Sequence, residues 1–472
     1  MTLNLLSHST YFADAESVEP VAALLSVVGA DLAAPLVTGG QARYANLDYA
    51  ASAPALRVVA DRVAEVLPFY SSVHRGAGYA SQVSTALLER SRSVIGEFVG
   101  ARAGDVVVFT RNTTDALNLL AGCLPAGGDV VFLDLEHHAN LLPWQRGRHR
   151  CVPIQPTVEA TLRSLEETRG DQPAALVAVT GASNVTGEEL PVDRIVALAH
   201  RHGARVVVDA AQLALHRRID LAASGADYVA FSGHKMYAPY GTGVLVGRRD
   251  WLDRGTPYLA GGGAVQRVEV DADSAQTSVQ WACAPARHEA GTPNVLGAAA
   301  LAAACEALRH LPPHALEGHE AALRGRLVDG LSAVAGVQVH RVFADAPSSI
   351  GVVAFTVDGV EAGLVAAFLS AEHGIGVRDG AFCAHPLLAR LGLGAGAVRA
   401  SVGVGTCSAD VDRLVGAVQQ LVEEGPQWTY ARVEGRWAPT PDPRPVPSWA
   451  GELTGAGAGT SPCLPATRGS GS

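Results

Sequence analysis

From about residue 104 the chain alternates short valine-rich runs with helical patterns, and this alternation limits its fold more than any other feature. The runs are DVVVFT (105–110), DVVFLD (129–134), AALVAVT (174–180) and ARVVVDAA (204–211). None alternates apolar with polar residues, so each reads as a strand covered on both faces. Between them lie segments such as PVDRIVALAHRHGA (191–204), where Ile195, Val196, Leu198 and Ala199 mark one side and Gly203 supplies a stop. Strand and helix in alternation predict an α/β fold with a mostly parallel sheet flanked by helices. Two runs depart from the rhythm. DYVAFSG (227–233) and GVLVG (243–247) are joined only by HKMYAPYGT, too short for a crossover helix. They are expected to be antiparallel, or neighbours joined by a tight loop.

A chain of 472 residues has room for two or three domains. The expected divisions are an N-terminal extension (1–40), a large domain (41–305), a smaller C-terminal α/β domain (306–424) and a tail (425–472). The small domain contains IGVVAFTV (350–357) and VRASVGV (398–404), whereas the tail is rich in Pro, Gly, Ser and Trp and is expected to hold little structure. A net charge of −10 offers no electrostatic footprint for a nucleic acid. The seven cysteines are scattered without a CxxC pair, so neither a zinc site nor a disulfide framework is expected. They read as reduced thiols of a cytoplasmic protein. The first twenty residues lack a basic region and a long apolar stretch, and no later window has the length of a membrane span, so neither a secretory signal nor a membrane segment is expected.

Chemistry concentrates at the ends of the predicted strands. FSGHKMYAPYGTG (231–243) sets Lys235 between a buried-strand pattern and a Gly/Pro loop. Ligands of open α/β sheets bind outside such carboxyl ends. A lysine in a partly apolar pocket has a lowered pKa and becomes an amine nucleophile for Schiff-base formation; an exposed loop lysine is the plainer alternative. Asp209 ends the run VVVD, where a carboxylate needs a cationic partner or a helix to cap. The pyridinium nitrogen of pyridoxal phosphate is such a partner, and one strand-to-strand step places Asp209 and Lys235 on the same sheet edge. Thr113 and Thr114 stand between a strand and a helical pattern, either as a phosphate cradle or as an ordinary N-cap. His137 and His138 follow another strand end, where one imidazole can stack on a planar cofactor. As metal ligands they lack carboxylate companions. In VRDGAFCAHPLL (377–388), Cys383 lies just past a turn, as a nucleophile or as a small buried hydrophobe.

Taken together, these pieces resemble the class V aminotransferase group of fold type I pyridoxal-phosphate enzymes, most closely the group II cysteine desulfurases and selenocysteine lyases. The resemblance runs from YANLDYAASAPAL (44–56) to SADVDRL (408–414), through VHRGAGYAS, NTTDALN, EHHANLLPW, SNVTG, VVVDAAQ, SGHK, EAGTPN and VRAS in order. It implies a large domain with a mostly parallel sheet plus a smaller C-terminal α/β domain. Lys235 would carry pyridoxal 5'-phosphate as a Schiff base and Asp209 would pair with the ring nitrogen. Gln212 would lie by the phenolic oxygen, and His137 would stack on the ring. Thr113, Thr114, Ser232 and His234 would hold the phosphate, joined by Thr292 from a partner subunit of a homodimer. Asn184 and Arg399 would bind the substrate carboxylate, with Arg378 beside them.

In the same family a cysteine sits in an Arg-X-Gly-His-His-Cys-Ala pattern. Here Arg378, Gly380, Cys383 and Ala384 match, but Ala381 and Phe382 replace the histidines. A phenylalanine before the cysteine also resembles the desulfurase domain of molybdenum cofactor sulfurases, although an aromatic neighbour tends to raise a thiol's pKa. The resemblance thus implies an enzyme that converts L-cysteine to L-alanine, leaves a persulfide on Cys383 and passes the sulfur to an acceptor protein. Another class V reaction (transamination, epimerisation or C–S lysis) with Cys383 as a bystander is the alternative. A non-catalytic scaffold would need neither Lys235 nor Asp209.

Overall fold

The computed structural model describes residues 20–168 and 174–450. Its centre is a seven-stranded sheet in the spatial order Asp105–Thr110, Gly243–Arg248, Tyr228–Ser232, Arg205–Asp209, Ala174–Thr180, Asp129–Leu133, His149–Val152. Gly243–Arg248 is antiparallel to both neighbours, as the short connection demands, and the other pairings are parallel. The valine runs are explained by two buried faces. Val107, Val131, Val177, Val206 and Val208 enter one core, while Val106, Val108, Val130, Leu176 and Val207 enter another on the opposite side. The edge strand His149–Val152 escapes the sequence reading because it has partly exposed positions and no apolar run.

Register brings the chemistry to one edge. Thr180 lies opposite Asp209, and Asp209 opposite Ala230. Gly243 lies between Ser232 and Thr110. A side chain at Gly243 would place its Cβ 2.6 Å from Asn112 Cα, so only glycine lets the strand pass beneath the helix that starts there.

A second core lies around an antiparallel four-stranded sheet in the order Val337–Val339, Val352–Val357, Ala397–Ser401, Arg378–Gly380. The helices Ala315–Ala333, Ala362–His373 and Ser408–Glu423 contribute apolar residues to it. The expectation of little structure after residue 425 is corrected for its described part. Tyr430–Val433 and Arg436–Pro439 form a hairpin whose turn residues, Glu434 and Gly435, both have positive φ (49° and 81°). Glycine here makes a tight turn and not a flexible linker. Buried Glu372 accepts from Gln427 N, Trp428 N (both 3.0 Å) and Tyr430 Oη (2.9 Å), fastening this segment to the helix Ala362–His373.

Candidate active site

At the carboxyl edge of the large sheet lies a cavity of about 610 Å³. Among its lining residues are Thr113, Thr114, His137, Asn184, Asp209, Gln212, Ser232, His234, Lys235, Arg378, Cys383 and Arg399. Of the site residues expected from the sequence, Thr292 alone lies elsewhere. It is exposed, in a separate groove with Ser72, His74, Arg75 and Gly263.

The anion cradle is built from distant segments. Asn112, not a threonine, is the N-cap of the helix Thr113–Ala121, its side chain accepting from Asp115 N. That leaves Thr113 and Thr114 in the first turn, where backbone N–H groups lack intrahelical acceptors. Thr113 N donates to Ser232 Oγ (2.8 Å), and the two hydroxyls are 2.7 Å apart. His234 closes this end with Nδ1 3.4 Å from Ser52 Oγ. Burial, reinforced by nearby Lys235, lowers its imidazole pKa to about 4.

Lys235 follows the strand Tyr228–Ser232 by one turn, its N–H bonded to Ser232 O. Desolvation lowers its ammonium pKa to about 8, and Asp209 is the main group opposing that fall. Asp209 is 3% exposed, and burial raises its carboxyl above the ordinary range against the Ala211 N–H bond and Lys235. A buried carboxyl with one backbone bond is suited to a cationic partner. The adjacent histidines part company here. His137 faces the cavity, accepts Ala139 N–H at Nδ1 (3.0 Å) and is held neutral by burial, with its pKa lowered to about 3. His138 instead meets His385, Nε2 to Nδ1 at 3.1 Å.

Arg399 is buried, yet it stands directly across the small sheet from Arg378. Like charges in register repel, and Asp48 lies between them in effect: it accepts from Arg399 (3.2 Å) and interacts with both guanidiniums. Asp48 lies within the motif 44–56, but its contact with an arginine 351 residues away leaves no local signal. A second arginine bond runs to Asn184 O (2.8 Å), while Asn184 Nδ2 donates to Phe382 O (2.8 Å). Phe382 and Cys383 both have left-handed backbones (φ 52° and 54°), a conformation uncommon for non-glycine residues. His138 N donates to Cys383 O (2.9 Å), so the turn that carries the thiol is held on both sides.

Two polar atoms test the fit of a cofactor and its substrate. Gln212 donates to Ala50 O but keeps Oε1 buried without a hydrogen-bond partner among the described residues, and Arg399 Nε is likewise buried without one there. With Lys235, buried Asp209 and the helix start, the donor and acceptor set suits a planar aldehyde bearing a phosphate and a hydroxyl. Fold and site together define a fold type I pyridoxal-phosphate enzyme.

Comparison with known proteins agrees. The family model for class-V aminotransferases matches residues 45–414, and the chain belongs to this family. A cysteine desulfurase of Klebsiella pneumoniae is 37% identical over 391 residues, covering 80% of this chain and 93% of that protein. A probable cysteine desulfurase of Vibrio cholerae is 34% identical, with 80% and 93% covered. Among solved structures, the apo cysteine desulfurase from Thermococcus onnurineus superposes with a TM-score of 0.73 at 34% identity, over 80% of this chain and 95% of that one. The hairpin 430–439 lies outside the family match.

Proposed function

We propose that the protein is a pyridoxal-phosphate-dependent cysteine desulfurase that converts L-cysteine to L-alanine and retains the sulfur as a persulfide on Cys383. The observation that carries this reading is the placement of Cys383, on a backbone turn held by Asn184 and His138, in the same cavity as Lys235, Asp209 and Arg399. Bound there, pyridoxal phosphate supplies an electron sink for bond breaking at the amino acid's Cα and Cβ. Lys235 holds the cofactor and moves the Cα proton, for which its lowered pKa suits it. Asp209 would keep the ring nitrogen protonated, Gln212 would bond the phenolic oxygen, and His137, a neutral imidazole, would cover the ring.

Thr113, Thr114, Ser232 and His234 hold the phosphate, while Arg399, Asn184 and Arg378 seat the substrate carboxylate. The Cys383 thiolate attacks the substrate sulfur, so that an S–S bond forms as the Cβ–S bond breaks; that bond's electron pair stays with Cβ, which takes up a proton to become the methyl group of alanine. Exposed Thr292 serves the phosphate site of a second subunit, and the working unit is a homodimer. An acceptor protein then removes the sulfur. Among the described residues no helix is long and apolar enough to cross a membrane, and a location in the reducing cytoplasm suits a thiol nucleophile.

Sulfide, alanine, pyruvate and keto acids measured together, with L-cysteine and a panel of other amino acids, test the reading. Equal sulfide and alanine in the presence of a reductant are expected. Pyruvate in place of alanine would make the enzyme a C–S lyase, and keto acid from another amino acid would make it an aminotransferase.

A further inference from the structure

We propose that Phe382 is a positioning residue that joins the guanidinium of Arg399 to the turn carrying Cys383, so that seating a substrate carboxylate also sets the thiol. This rests on the desulfurase reading for its purpose, though not for its geometry. Three buried residues form a closed circuit. Asn184 Nδ2 donates to Phe382 O (2.8 Å), Arg399 donates to Asn184 O (2.8 Å), and the Arg399 guanidinium carbon lies 5.2 Å from the centre of the Phe382 ring. Phe382, Arg399 and Asn184 are 5%, 4% and 7% exposed.

The chemistry favours an aromatic ring at this point. A ring face attracts a desolvated cation without taking up its N–H groups, which lie in the guanidinium plane. Nη1 of Arg399 bonds Asn184 O and Nη2 bonds Asp48, while Nε has no hydrogen-bond partner among the described residues and is the group left for a carboxylate. A protonated histidine in the same place would repel the arginine. The ring also helps to fix the backbone. Two successive left-handed non-glycine residues persist only where surrounding contacts over-determine them. Asn184 holds the Phe382 carbonyl, His138 the Cys383 carbonyl, and the arginine holds the Phe382 ring. A shift of Arg399 toward a carboxylate must therefore move the ring and, with it, the next residue, Cys383.

The test uses the cofactor-loaded protein and L-alanine, and reads iodoacetamide labelling of Cys383 by peptide mass spectrometry. In the parent protein, saturating alanine is expected to change the Cys383 labelling rate about fivefold or more. Phe382→Leu keeps bulk but removes the ring face. It should reduce that change to less than about twofold and weaken alanine binding about tenfold. Phe382→Tyr restores the ring and should restore both. The proposal is overturned if the parent shows no coupling, if Phe382→Leu keeps parent-like coupling and affinity, or if Phe382→Tyr behaves like the leucine variant. Should the leucine variant lose its bound chromophore, Phe382→Met takes its place under the same criteria. Coupling in a parent protein that releases no sulfide from cysteine would sink the desulfurase reading while supporting this one.

Discussion

Asp209 is the main counterweight to the desolvation of Lys235, and the two reach one cavity from successive parallel strands. Burial alone would drive the ammonium pKa lower still, and the carboxylate holds it near 8. The pair therefore sets how readily the amine is available near neutral pH.

Cofactor uptake by the apo-protein should follow this titration. A neutral amine is required to attack the aldehyde, and with a pKa of about 8 roughly a tenth of Lys235 is neutral at pH 7. The uptake rate is expected to rise with pH and level off above a midpoint near 8. Stopped-flow absorbance on apo-protein measures it, with Lys235→Ala as the control that forms no borohydride-reducible chromophore. A midpoint near the ordinary lysine value would show that the amine is not desolvated.

Asp209→Asn should still bind the cofactor but lose roughly a hundredfold or more in turnover, because the ring nitrogen loses the anion that keeps it protonated. Bound-cofactor spectra and kcat, measured together, separate this from simple loss of affinity. Parent-like turnover would reduce Asp209 to a cap on Ala211 N.

For Arg399→Ala the expected change is a KM higher by about tenfold to a hundredfold for any α-amino acid, the scale of a lost charge-assisted hydrogen bond. The variant also leaves Asp48 without its bonded arginine. An unchanged KM with reduced kcat would remove Arg399 from carboxylate binding.

Cys383→Ser should abolish alanine and sulfide release while leaving the bound chromophore intact, since a hydroxyl of similar size forms no persulfide. Steady sulfide production by this variant, with pyruvate, would place bond cleavage on the cofactor alone.

Glu372→Ala tests the hairpin 430–439. Three donors lose their acceptor, and an expected destabilisation of about 1–3 kcal/mol should appear in urea unfolding. Limited proteolysis should cut first near residues 425–439. Equal stability and an unchanged cleavage pattern would show that the hairpin is held by its other contacts, such as Trp437 Nε1 to Glu361 (3.3 Å).

The sequence by itself determined the sheet and the sheet edge. Valine runs report burial on both faces, and Lys235 and Asp209 follow such runs within a few residues, so local pattern carries that information. It pointed to a turn at Arg378–Gly380 with Cys383 just past it, but those residues form a strand and the turn is Phe382–Cys383 itself. Only the tertiary structure decided which surfaces meet there. His137 and His138 are neighbours in sequence, yet one faces the cavity and the other His385, because a cap on Ala139 N orients the first ring. The hairpin after residue 425 was hidden because a glycine-rich stretch reads alike whether it forms a tight turn or a loose tail; Glu372, more than fifty residues earlier, supplies the anchor. Asp48 and Asn184 reach Phe382 and Arg399 from segments far away in the sequence, 198 to 351 residues along the chain for the bonded pairs. Their contacts arise where the small antiparallel sheet packs over the edge of the large one, and packing between distant segments leaves no periodicity in the chain.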